Sequence, residues 1–235
     1  MNKKIIIATI ATLFLMSCSE REWMTIIPNE EDLKLYDYYV DEFGNEGIVV
    51  CIKSYTNSKA AFVLSADETV CEWGPGGFCV FEQEFSEDNV NYPRFSLIMA
   101  RYISLLGVER FPAFNWCLNK NNGAPLSSDS WMLPSHKEMT TLLKSVNLNE
   151  LNNALLNIGG TPLRSELYWT ATEDFPELVK MKDTESEYNP ENWAICMTPS
   201  SKYYTQKHIW WTKSRKLGVR AIKYIQYESS YNFQL

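Results

Sequence analysis

The sequence predicts an α+β domain. A pair of strand-like runs comes early, a block of helical signals follows, and strand-like runs return near the end. That segregated order differs from the strict alternation of an α/β fold. No internal repeat and no low-complexity tract interrupts it.

The first strands lie within residues 47–66. GIVVCIKSY and KAAFVLSA are rich in β-branched and aromatic residues, and TNS between them is turn chemistry, so a hairpin is expected. The Gly/Pro loop CEWGPGGFC follows, then the acidic stretch EQEFSEDNVN. After Pro93, FSLIMARYISLLG reads as a helix that stops at Gly107. A second helix starts near Pro112 and ends in a polar loop running through GAPLSSDS. In WMLPSHKEMTTLLKSV, Ser135 and Glu138 form an S-x-x-E capping box just after Pro134. Met139, Leu142, Leu143 and Val146 then recur at helical spacing as one apolar stripe. Asn147 caps a further helix, Leu148, Leu151 and Leu155 line its face, and Gly159-Gly160 stops it. LYWTATE, NWAICM and LGVRAIKYI are three short strand-like runs separated by polar loops.

The N-terminus carries a targeting pattern. MNKK is a basic start, IIIATIATLFLM is an uncharged apolar run, and LMSC ends at Cys18. The run is short for a membrane-spanning helix, which needs about 20 apolar residues. Residues 1–17 therefore read as a bacterial lipoprotein signal, with the Cys18 thiol taking the lipid and the cut falling before it. Stable anchoring needs more than one acyl chain (palmitate is a common one), which a fully acylated cysteine supplies. Ser-Glu-Arg-Glu after Cys18 fits export to the outer membrane, on its surface or its periplasmic face. Residues 18–46, polar and acidic with scattered aromatics, read as a tether and lead-in, and 47–235 as a single domain.

Without residues 1–17, 20 Lys and Arg stand against 29 Asp and Glu, a net charge of about −9. That balance is a poor match for nucleic acid. Thirteen Tyr, 11 Phe and 8 Trp argue against a disordered chain. Export also permits disulfides. Beyond Cys18 there are five cysteines, an odd number. The favoured local pair is Cys71–Cys79, closing CEWGPGGFC, with Cys117–Cys196 as a further pairing. The other reading leaves all five reduced and mostly buried.

WGPGG, NWCLNKNNG, WMLPSHKEMTTLL, YWTATED and a closing GVRAI occur in that order. The chain resembles a bacterial domain family of unknown function typified by the C-terminal domain of a collagen-like adhesin. That family carries W-x-LP-[ST]-x-x-E-x-x-x-L, then W-[ST]-[SAT]-[ST]-E, then VR-[AC]-[IV]. The chain is also similar to a paralogous domain common in lipoproteins of Bacteroides-like bacteria. The resemblance covers about residues 47–224. It implies a C-type-lectin-like fold: a small twisted antiparallel sheet, flanking helices and long loops. It implies no known activity. Where the family often has Gly-x-x-Asn-Thr, this chain has NVNYPRFS. Trp131, Leu133, Trp169 and Val219 read mainly as core architecture.

The candidate chemistry is sparse. His136 and His208 are the only histidines, and His136 and Glu138 diverge on a helix start, so no metal site and no cofactor is expected. No G-x-S-x-G elbow is present. YNPENWAIC places Asn189, Glu191 and Asn192 near Asp183, Glu185 and Glu187, but in an order unlike the lectin calcium loop, and reads as a solvated acidic loop. Formylglycine-generating enzymes share the implied fold but need a close cysteine pair, which Cys196 lacks. Trp193, Trp210, Trp211 and Lys213 are the candidate ligand contacts. Adjacent Trp210 and Trp211 on a strand face opposite sides, and an exposed one beside Lys213 and Arg215 would stack on a sugar ring or a partner side chain. The expected role is a non-catalytic binding or adhesion module for a glycan or surface protein. A structural subunit of a surface or fimbria-like assembly is the alternative, and an enzyme of unknown chemistry the third.

Overall fold

Two sheets lie between two pairs of helices. The computed structural model describes residues 33–54, 58–77, 80, 94–173, 192–199 and 209–228. The leader 1–17, Cys18, Cys79, His208 and the acidic run 183–191 lie outside the described residues.

The first sheet holds β1 (Tyr38–Val40), β2 (Glu46–Ser54), β3 (Ser58–Ser65) and β9 (Ile222–Glu228), in the order β1-β2-β3-β9, all antiparallel. The second holds β4 (Thr69–Cys71), β5 (Tyr168–Glu173), β6 (Trp193–Met197), β7 (Ile209–Thr212) and β8 (Leu217–Val219), in the order β4-β8-β5-β6-β7. Its β5–β8 pair is parallel. Among the described residues there are four α-helices: α1 (Arg94–Leu106), α2 (Pro112–Asn119), α3 (His136–Lys144) and α4 (Leu148–Asn157). The class is α+β, as the sequence order predicts. Among the described residues there are two sheets rather than the one expected, and one contains a parallel pair.

The expected β2–β3 hairpin is present, with a bulge between Val49 and Cys51. LGVRAIKYI is not one strand. Its first part is β8 in one sheet and its second part is β9 in the other, with Arg220 and Ala221 as the crossing. The lead-in also begins the fold earlier than residue 47. Leu33 and Tyr39 are buried in the core, and β1 pairs with β2. The described part of the lead-in, from residue 33, is thus part of the fold, with Tyr39 of β1 turned into the core.

Alternating strand residues feed two cores. Val49, Ala61, Val63, Trp169 and Val219 meet α1 and α2. Ile48, Phe62, Leu64, Tyr168 and Met197 meet Met139, Leu142 and Leu143 of α3 and Leu151 and Leu155 of α4. Trp73, Trp131 and Trp169 are fully buried. Each removes roughly 200 Å² from water, about 5 kcal/mol at ~25 cal/mol per Å². Every one of these indole N–H groups has an acceptor: Trp73 donates to Thr170 O (2.8 Å), Trp131 to Asp41 Oδ2 (2.6 Å) and Trp169 to Cys71 O (3.1 Å).

The helix ends follow local chemistry. Pro112 opens α2, where its missing N–H costs nothing. Ser135 accepts from Glu138 N while the Glu138 carboxylate accepts from Ser135 N, so the expected capping box is formed. Asn147 caps α4, and Gly159 leaves it at φ +74°. No helix among the described residues is long and apolar enough to cross a membrane.

Candidate functional site

The β6–β7 pair carries three of the four candidate contacts. Its register sets Trp193 opposite Thr212, Ala194 opposite Trp211, Ile195 opposite Trp210 and Cys196 opposite Ile209. Directly opposed residues share a sheet face. Ala194 and Cys196 belong to the core under α1 and α2, so Trp211 and Ile209 face that side and pack against it. Trp193, Ile195 and Trp210 share the other face, with Trp193 and Trp210 as diagonal neighbours across the strand pair. Trp210 and Trp211 thus point to opposite faces, as expected. Neither is fully buried or exposed; Trp193, Trp210 and Trp211 are all half-buried. β7 ends the sheet among the described residues, so its side chains are covered from one flank.

Arg215 completes the Trp211 side. The turn after β7 bonds Arg215 N to Thr212 O at 2.9 Å. That fold-back lays the guanidinium 3.7 Å from the centre of the Trp211 ring. Arg215 is exposed. Trp211 Nε1 is buried and has no hydrogen-bond partner among the described residues.

Lys213 corrects the sequence reading. It is not a surface cation beside a tryptophan but is 1% exposed. Its Nζ lies 2.5 Å from Glu173 Oε1 and 4.8 Å from the centre of the Trp73 ring. Its backbone N–H donates to Asn192 O at 2.8 Å, and its carbonyl accepts from Trp73 N at 2.9 Å. Glu173 Oε2 also accepts from Val80 N at 2.7 Å. The TKSRK run offered three equivalent basic residues, and nothing local marks the first as the inward one. The available signal was Glu173, the one charged residue of a strand buried along its whole length and needing a counter-charge.

The WGPGG loop lies beside this edge. A Cβ on Gly76 would collide with Asn192 Oδ1, and the same oxygen accepts from Gly77 N at 2.9 Å. Gly77 sits at φ +92°, where a side chain is strained. The two glycines let the loop close onto Asn192, next to Trp193.

The remaining signature residues hold the fold. Arg220 is buried and donates to Ser65 O (2.7 Å), Ala66 O (3.1 Å), Thr161 O and Glu68 Oε2 (2.9 Å). Glu68 also binds Arg164 at 2.5 Å and accepts from the Tyr168 hydroxyl at 2.7 Å. Glu138 accepts from Ser96 Oγ as well as from the α3 cap. Trp131, Leu133, Trp169 and Val219 are all buried, as the sequence predicts.

Cys51, Cys117 and Cys196 are buried free thiols, and Cys71 is a half-buried one. The Cys117–Cys196 bridge is not formed; Cys196 Sγ instead donates to Ile209 O at 3.3 Å. Cys79, the expected partner of Cys71, lies outside the described residues. Burial pushes the Cys71 thiol up to about 11 and the Cys196 thiol up to about 12, and lifts Cys117 well above its ordinary value. Thiols so raised carry little thiolate at neutral pH and are poor nucleophiles. Among the described residues no three His, Cys, Asp or Glu side chains gather around a point that suits a metal.

Comparison with known proteins gives no match: no protein family, no curated protein and no solved structure is significantly similar to the chain.

Proposed function

We propose that the chain is an envelope-anchored lipoprotein whose C-type-lectin-like domain is a non-catalytic binding or adhesion module. Residues 1–17 are its export signal, Cys18 its lipid-bearing first residue and the bacterial outer membrane its location. The ligand is a glycan or a surface protein met at the β6–β7 edge. The observation that carries this reading is the diagonal placement of Trp193 and Trp210 on one face of that edge, both half-buried. Two half-buried indole rings on one face of a sheet edge offer flat apolar area, which suits the face of a sugar ring or a partner's side chains. Among the described residues the buried charged groups are committed to the fold: Lys213 to Glu173, Arg220 to Glu68, Lys223 to Asp41 and Glu138 to the α3 cap.

A glycan array and a panel of envelope proteins test the binding role. A reproducible hit supports it, and silence across both overturns it. Mass spectrometry of the mature protein tests the anchor; an unlipidated periplasmic form would overturn it.

A second reading, a structural subunit of a surface or fimbria-like assembly, is favoured by Tyr102, Leu105 and Leu106 on α1. Leu105 is 84% exposed on that helix. Such a subunit should co-purify as an oligomer, and a lone monomer would sink the idea.

A further inference from the structure

The orientation of β4 brings a second, non-local partner to Cys71. Val70 points outward at 47% exposure, whereas Thr69 and Cys71 on either side of it are half-buried and turn inward. Cys71 packs against the core that contains Cys117. Cys117 sits on the buried face of α2, one turn beyond Ala113.

The chain around β4 is fastened to α2 at both ends. At one end Ala113 N donates to Glu72 O at 3.1 Å. At the other, Lys120 Nζ, just past α2, is 2.7 Å from both carboxylate oxygens of Asp67. Residues 67–72 therefore run antiparallel along α2, and the backbones of α2 and β4 approach to within 8 Å. Cys71 and Cys117 both lie within this clamped interval, Cys117 in the apolar core there and Cys71 packed against that core.

We propose that Cys71 and Cys117 form a disulfide when the protein meets an oxidising thiol–disulfide couple. The pairing differs from the local Cys71–Cys79 bridge that the sequence suggests. The oxidant is a low-molecular-weight disulfide or an oxidised dithiol protein. The half-buried Cys71 gives up its proton and attacks one sulfur of that disulfide, releasing one thiol. Cys117 then loses its proton and attacks Cys71 Sγ, and the second thiol leaves. Two cysteine thiols are oxidised by two electrons, the oxidant is reduced to two thiols, and the protons lost at the cysteines end on them. The export read from residues 1–17 supplies a compartment where such oxidants persist.

The electrostatics agree with this proximity. Burial is the main cause that lifts the Cys117 thiol, Lys120 opposes it, and the neighbouring Cys71 adds to the rise. Oxidation should therefore be slow at neutral pH and speed up about tenfold per pH unit while the thiols remain protonated.

The test uses the purified full chain with oxidised glutathione, followed by alkylation and cleavage without reduction. Trypsin leaves Cys71 and Cys79 on one peptide, so a glutamate-specific protease that cuts after Glu72 must be added. The expected result is the Cys71 peptide linked to the Cys117 peptide, with two alkylatable thiols lost. Cys79→Ser should leave that link intact, and Cys117→Ala should abolish it and leave Cys71 as its mixed disulfide with glutathione. A Cys71–Cys79 link, or full alkylation of Cys71 and Cys117 after oxidation at pH 9, overturns the proposal. Neither result bears on ligand binding at the tryptophan edge.

Discussion

Lys213 and Glu173 form a buried ion pair, Nζ to Oε1 at 2.5 Å, with side chains 1% and 2% exposed. It spans from the end of β5 to the turn after β7 and lies under the WGPGG loop through Trp73. Taking two charges out of water is costly, and only close geometry with further bonds offsets it. The Val80 N–H on the second Glu173 oxygen and the Trp73 ring under the ammonium supply that closeness.

Breaking this pair from one side should be severe. Lys213→Met leaves an uncompensated carboxylate in the core, and Glu173→Leu an uncompensated ammonium. Each is expected to cost about 3–5 kcal/mol in urea unfolding. The double variant Lys213→Met/Glu173→Leu should recover most of that loss. A single variant costing under ~1 kcal/mol would show that the pair is not sealed from water.

Arg220 should not tolerate lysine. Its guanidinium reaches three carbonyls and Glu68 at once, in a fork that an ammonium cannot reproduce. Arg220→Lys is expected to lose about 2–4 kcal/mol, since it strands buried acceptors at the crossing from β8 to β9. Thermal unfolding checks this, and a midpoint within a degree of the parent would refute it.

Much of this was readable from the residues. The capping box, the Asn147 cap and the Gly159 stop needed only local bonding rules, and each is formed as expected. Trp131 and Trp169 were legible as core because each stands where a helix entry or a strand meets it, whereas Trp73, in the WGPGG loop, was not singled out. What failed was long-range. Arg220 turns the chain from one sheet into the other in the middle of a continuous apolar run, and no local residue pattern announces that. Lys213 looked like a solvated cation because its partner lies 40 residues away on another strand. β1 was hidden in a polar stretch, since only Tyr39 of its three residues is fully buried.

Asp41 should shape the acid limb of stability. Burial alone would raise its carboxyl. The hydrogen bonds from Asn45 and Trp131 side chains, with the backbone N–H groups of Asn45 and Phe43, outweigh burial and hold it below the ordinary value. A carboxyl lowered on folding adds stability that is present above its unfolded pKa, about 3.9, and is lost as pH falls through the folded value. Asp41→Asn should therefore be less stable than the parent at pH 6, with the gap narrowing below pH 4. Urea midpoints at both pH values measure it, and a constant gap would remove Asp41 from the acid response.

The two faces of the β6–β7 edge should behave differently toward a ligand. Trp193 and Trp210 lie on one face, while Trp211 looks to the other and is already stacked on Arg215. If the Trp193–Trp210 face is the contact, Trp193→Ala and Trp210→Ala should each weaken binding by about tenfold or more, near 1.4 kcal/mol. Trp211→Ala should leave affinity unchanged within about twofold. All three remove half-buried rings, so circular dichroism and thermal midpoints must first show that each variant is folded. Titration calorimetry against whatever ligand the array identifies then separates the cases. Equal losses at all three positions would mean that the edge as a whole, and not one face, is being read. A loss at Trp211 alone would move the contact to the Arg215 side and make its guanidinium the group that meets the ligand.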